Sequence, residues 1–173
     1  VLLKGGDKKR VEEIMRAADK FLSHPKSMKE DLLATVFDEF FYGKELFTKM
    51  NGTKPCFNNT AGLINREKII VKRKILAALD NAVGRNRLGI ASGRSITAAQ
   101  YTLKSALEYF NPNALVFIED EERKLKSMNE RSNIWKPKPY SLLKALENIN
   151  GYEKALYAGD SAEDYMMAKT VNQ

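Results

Sequence analysis

Ala155–Leu156–Tyr157–Ala158–Gly159–Asp160–Ser161–Ala162–Glu163–Asp164 brings a short apolar run up against two carboxylates and a hydroxyl. The run reads as a buried strand over 155–158, Gly159 permits a tight turn, and the four-residue step from Asp160 to Asp164 sets both carboxylates on one side of a first helical turn. Oxygen ligands at such a junction suit Mg2+, which keeps part of its water shell and leaves positions for phosphate. The same residues fit an N-capped helix, in which Asp160 or Ser161 accepts a hydrogen bond from a free amide at the helix start. The residues by themselves leave both readings open.

Two upstream segments bear on that choice. Arg87–Leu88–Gly89–Ile90–Ala91 reads as a second short strand. It runs into Ser92–Gly93–Arg94–Ser95 ahead of an amphipathic helix whose apolar positions are Ile96, Ala99, Leu103, Ala106, Leu107 and Phe110. A small hydroxyl followed by glycine at a helix N-terminus makes a phosphate cradle: the amides of Gly93 and Arg94 face outward with the helix dipole behind them, and Ser92 adds a hydroxyl. In Trp135–Lys136–Pro137–Lys138–Pro139, two prolines hold an extended backbone before a helix carrying Leu142, Leu143, Leu146 and Ile149. One of its lysines can enter a cleft as a fixed positive charge, and a solvated loop lysine is the alternative.

In the order Ser92, Lys136, Asp160 and Asp164, these elements resemble the later motifs of the haloacid dehalogenase superfamily of phosphatases. Phe41–Tyr42–Gly43–Lys44–Glu45–Leu46–Phe47 and Gly62–Leu63–Ile64 are similar to the helical cap of its phosphoglycolate-phosphatase-like members. The resemblance implies an α/β fold: a Rossmann-like core with a parallel sheet, incomplete here, and an α-helical cap. It implies that Ser92 binds the transferring phosphoryl group with Gly93 and Arg94, and that Lys136 neutralises nucleophile and phosphate. Asp160 and Asp164 would hold or orient Mg2+. Cap residues Asn58, Asn59, Gly62 and Leu63 would face the substrate, a small phosphorylated metabolite.

The superfamily's nucleophile belongs to an Asp-x-Asp motif, and no two aspartates stand two positions apart here. Asp38 is the nearest imitation, but Leu32, Leu33, Val36, Phe37 and Phe40 around it are spaced as a helix face, and Ser27-x-x-Glu30 is a capping box that would start that helix. The expectation is therefore a fragment whose nucleophile lies upstream of Val1 and whose core continues beyond Gln173. The alternative is a catalytically inactive relative that binds or scaffolds. A mutase or dehalogenase of the same fold is a lesser option.

The pattern changes near residue 85. Val11, Ile14, Ala18, Phe21 and Leu22 make a helix face that ends at His24–Pro25, and Ile69, Ile70, Arg73, Ile75, Leu76 and Leu79 outline another. Beyond residue 86, strand-like runs at 87–91, 114–118 and 154–158 alternate with helices near 95–110, 140–149 and 162–170, as in a parallel sheet covered on both faces. The predicted division is a helical cap over 1–85 and an α/β core over 86–173. Ligands in such sheets sit at the strand carboxyl ends, where Ser92 and Asp160 fall. Glu119–Lys126 reads as a solvated loop or short helix.

Net charge is +7, with 17 Lys and Arg against 11 Asp and Glu in residues 1–85 but 12 against 11 in 86–173. A basic cap would concentrate an anionic substrate, although a lysine-rich surface gives the same count. Nucleic-acid binding is disfavoured because the lysines lack interleaved aromatics. One His and one Cys exclude a zinc site and a Cys-His pair. A lone Cys56 and the absence of a bilayer-length apolar segment point to a cytoplasmic protein without a membrane span.

Overall fold

The computed structural model describes residues 10, 12–14, 16–17, 32–130 and 133–172. Most of the predicted face over 11–22, its end at His24–Pro25 and the Ser27–Glu30 capping box lie outside those residues. Ile14, the described member of that face, is exposed. The chain forms two compact units, residues 1–67 and 68–173.

In the first unit, helix α1 spans Leu32–Asn51 and contains Asp38, as the apolar spacing predicts. The buried side is not the predicted one. Phe37 is 62% exposed, and Leu32, Leu33 and Phe40 are exposed too, whereas Glu39, Tyr42, Leu46 and Phe47 are buried. The reason is the loop that follows, which docks on the Glu39 side. The Glu39 carboxylate accepts the backbone N–H groups of Cys56, Phe57 and Asn58 at 2.7, 2.5 and 3.0 Å, and the Asn58 amide donates to the Glu39 carbonyl at 3.0 Å. Burial opposes ionisation of Glu39, but these three amides outweigh it and hold its carboxyl below the usual range.

The same loop meets α1 again at Gly43, which kinks the helix with φ +72° and bridges Ala61. A Cβ on Gly43 would stand 2.1 Å from the Gly62 nitrogen, and one on Gly62 would stand 2.2 Å from the Tyr42 carbonyl carbon. Both positions therefore require glycine. A 3-10 turn, Leu63–Arg66, closes the unit on the buried Ile64.

The second unit begins with helix α2, Arg73–Val83, so the division falls after Glu67 and not at residue 85. Helix α2 packs on a 3-10 segment at Lys104–Tyr109, where Arg73 pairs with Glu108 and lies over the Tyr109 ring. Ile69 and Ile70 precede the helix and are exposed, which corrects their predicted place on its face. Strand β1, Ile90–Ser92, pairs in parallel with β2, Leu115–Phe117, in the register Ile90 to Leu115 and Ser92 to Phe117. Helix α3, Ile96–Leu103, lies between them in sequence. Helix α4, Ile118–Ser127, continues directly from β2, so Glu119–Lys126 is helical.

Helix α5, Tyr140–Glu147, packs across both strands and against helix α6, Ala162–Val171. Val116, Phe117, Ile118, Ala98, Ala99, Leu142, Ala145 and Met167 form the core. Burying these apolar surfaces supplies the main favourable term for the unit.

The predicted strand at 154–158 is not present. The segment pairs with no strand among the described residues, and Leu156 is 98% exposed. An apolar run becomes a strand only where a neighbour satisfies its backbone, and the two-stranded sheet brings no neighbour to it.

Candidate functional site

Within the second unit, the proline segment meets the stretch from Tyr157 to Asp164 at the N-terminus of α6. Gly159 lies tight against Asp164, since a Cβ there would stand 2.4 Å from the Asp164 Cβ. Ser161 is the N-cap and its hydroxyl accepts the Asp164 amide at 3.1 Å. Asp164 answers through Oδ2, which accepts the Ser161 amide at 3.1 Å, the Ser161 hydroxyl at 2.7 Å and the Asp160 amide at 3.3 Å. This is a reciprocal capping box with aspartate at its third helical position.

Asp164 does more than cap. Its Oδ1 accepts Lys136 Nζ at 2.6 Å and the Tyr157 hydroxyl at 2.6 Å. Burial alone would raise its pKa, but the bonds from Lys136, Tyr157 and Ser161 prevail and hold the carboxyl well below the usual range. Capping and site-building are thus performed by one side chain. Both of its oxygens accept hydrogen bonds within the turn and from Lys136 and Tyr157.

Asp160 is different. It is exposed, and among the described residues only its backbone amide takes part in a hydrogen bond. Its carboxylate is available to a cation, as one hard oxygen ligand of the kind Mg2+ takes alongside water. Among the described residues no group of three or more His, Cys, Asp or Glu side chains assembles as a metal site.

Lys136 follows the loop in from the other side. Its side chain is 19% exposed, whereas Lys138 is exposed, so the two lysines of the proline segment separate as expected. The Lys136–Pro137 peptide is cis. Trp135 carries the segment to β1, since a Cβ on Gly93 would stand 3.6 Å from the Trp135 ring.

At the end of β1, the Ser92 hydroxyl accepts the Arg94 amide at 3.2 Å, so that amide turns inward and does not face out as predicted. Ser95 is the N-cap of α3 and accepts the Ala98 amide at 3.1 Å. The Ile96 amide donates to Asp120 Oδ2 at 2.6 Å. That carboxylate takes one of the donors at the helix end, an acceptor hidden within the charged stretch 119–126. The Ser92–Gly93–Arg94 loop, Lys136 and Asp164 thus all lie in the second unit, with Trp135 near Gly93 and Lys136 paired to Asp164. In the other unit Asn58 and Gly62 are buried, while Asn59 and Leu63 are exposed.

Tyr157 and Asp120 escaped the sequence analysis. Tyr157 was signalled only as a hydroxyl-bearing residue in an otherwise apolar run.

A small parallel sheet flanked by helices makes the second unit a mixed α/β structure. A family model described as haloacid dehalogenase-like hydrolase matches residues 6–172, and the chain belongs to that family. No curated protein and no solved structure matches the chain. Among the described residues no helix is long and apolar enough to cross a membrane.

Proposed function

We propose that the chain forms part of a Mg2+-dependent phosphatase acting on a small phosphomonoester, phosphoglycolate-phosphatase-like in carrying a helical cap. The observation that carries the proposal is the 2.6 Å ion pair between Lys136 and Asp164, which joins the proline segment to the acidic turn.

In this reading Ser92 and the Gly93 amide bind the phosphoryl oxygens, with Arg94 beside them. Lys136 offsets their charge, and Asp160 offers an oxygen to Mg2+. When bound, Mg2+ would neutralise the charge on the transferring group. Asp164 keeps Lys136 and the turn in place, so positioning and charge neutralisation supply most of the catalysis.

The nucleophile would be the first aspartate of an Asp-x-Asp pair. It attacks phosphorus to give an aspartyl-phosphate as the second aspartate protonates the leaving group, and water then hydrolyses the intermediate. Residues 1–173 hold no such pair, and the proposal assigns it to a segment preceding Val1. The same absence favours a second reading, a binding or scaffold protein that keeps the fold. Residues 58–63 would shape substrate choice from the cap, and the setting would be cytoplasmic.

Asp160→Asn tests the metal assignment. Ser161 is the N-cap and Asp160 contributes only its backbone amide, so the change leaves the capping box intact. Mn2+ binding followed by water-proton relaxation should be lost in Asp160→Asn while Trp135 fluorescence stays native. Retained Mn2+ binding would overturn the assignment. For the phosphatase against the scaffold, residues 1–173 joined to their preceding segment should hydrolyse a generic phosphomonoester, and an Asp→Asn change in that segment's first motif aspartate should abolish it. No turnover with the pair present supports the scaffold.

A further inference from the structure

We propose that Tyr157 is a positioning residue whose hydroxyl fixes the Lys136 ammonium against Asp164. The proposal rests on the phosphatase reading in one respect, that Lys136 is the group that meets the phosphoryl oxygens.

Residues 150–163 are exposed with one exception, the half-buried Tyr157. The chain thus turns a single side chain of this segment inward. Its hydroxyl donates to Asp164 Oδ1 at 2.6 Å and accepts from Lys136 Nζ at 3.4 Å, while Lys136 Nζ also donates to the same Oδ1 at 2.6 Å. The three polar groups close a ring in which every donor and acceptor is used consistently.

A lysine ammonium has three donors on a flexible four-carbon stem. Held by Asp164 alone, it could swing about that one contact. Held at two points, it keeps one direction, and among the described residues its third donor is left for a ligand. Burial, together with the carboxylates of Asp164 and Asp160, pushes the Tyr157 hydroxyl well above its ordinary pKa, so it remains a donor at neutral pH. Phenylalanine would fill the same space, and only the hydroxyl makes these bonds.

Competitive acylation of the full chain at pH 8, read by mass spectrometry, tests the proposal. In the wild type Lys136 should react several-fold more slowly than the exposed Lys138. In Tyr157→Phe, which keeps the ring, Lys136 should react roughly threefold faster, as the loss of one modest hydrogen bond implies, with Lys138 unchanged. A packing role predicts no change in the ratio of the two lysines, and an unchanged ratio in the folded variant overturns the proposal. Equal rates in the wild type overturn it without any variant. These readouts use neither Mg2+ nor turnover, so the proposal and the phosphatase reading fail separately.

Discussion

Replacing Asp164 by asparagine should destabilise the second unit by about 3 kcal/mol at pH 7. The figure comes from the partners that lose a carboxylate. Removing one member of a buried ion pair costs roughly 3–5 kcal/mol, and Lys136 retains 19% exposure, which places the loss at the lower end. An asparagine fits neither way round. With its amide nitrogen at the Oδ2 position it faces the N–H groups of Asp160 and Ser161, and flipped it faces the Lys136 ammonium.

Trp135, the single tryptophan, lies in the same junction, so urea unfolding followed by its fluorescence reports the right region. With a slope of about 2 kcal/mol per molar, the midpoint should fall by about 1.5 M. The pH dependence has a definite sign. Asp164 has a lowered pKa in the fold, so its contribution is complete above the unfolded value of about 3.9 and is lost as pH falls toward the folded one. The difference between wild type and Asp164→Asn should therefore shrink to below about 2 kcal/mol at pH 3. A midpoint shift under about 0.5 M at pH 7, or the same shift at both pH values, would refute the account of Asp164 as the charged centre of the junction.

Other expectations follow from the same contacts. Glu39→Gln should speed amide hydrogen exchange at Cys56, Phe57 and Asn58 by at least about tenfold, because a charged acceptor of three N–H groups is replaced by a neutral one; unchanged exchange there would show that the loop is held by other means. In the active enzyme, Lys136→Ala should cost far more turnover than Lys138→Ala, since a partly buried ammonium beside phosphate interacts more strongly than a solvated one; equal, small losses would remove Lys136 from the site. Glu121 is buried at the start of α4, and although burial opposes its ionisation, Lys124, Lys144 and Tyr140 hold its carboxyl down to about 2. The stability it gives α4 and α5 should be full above about pH 4.5 and lost as pH falls toward 2, so urea midpoints of wild type and Glu121→Gln should converge at low pH.

The local signals in the sequence were legible where one segment contains its own cause. Helix α6 follows from a cap at Asp160 or Ser161 after a turn at Gly159, and α5 follows from its apolar period behind two prolines. The parallel pairing of 90–92 with 115–117 was visible as two short apolar runs separated by a helix. Pairing is not written in the run itself, however, and Ala155–Ala158 looks like the other two while having no strand beside it. Glu39 reads as an ordinary helix residue because its partners are amides seventeen to nineteen positions away. The sequence offered Asp160 or Ser161 as the cap, and the part of Asp164 in the capping box was not read from it. Asp164 Oδ2 faces the backbone of the turn and its Oδ1 faces Lys136 and Tyr157, which no spacing argument separates.

The meeting of Gly43 with Gly62 has a consequence for mutational exchange. A side chain on either residue strikes the main chain around the other, at 2.1 and 2.2 Å, so neither clash can be relieved by shrinking a neighbouring side chain. Contacts between two side chains allow compensation, a larger residue on one side offset by a smaller one on the other. Here there is nothing to make smaller. A library varying both positions together and selected for the folded unit should return glycine at each independently, with no rescuing pairs.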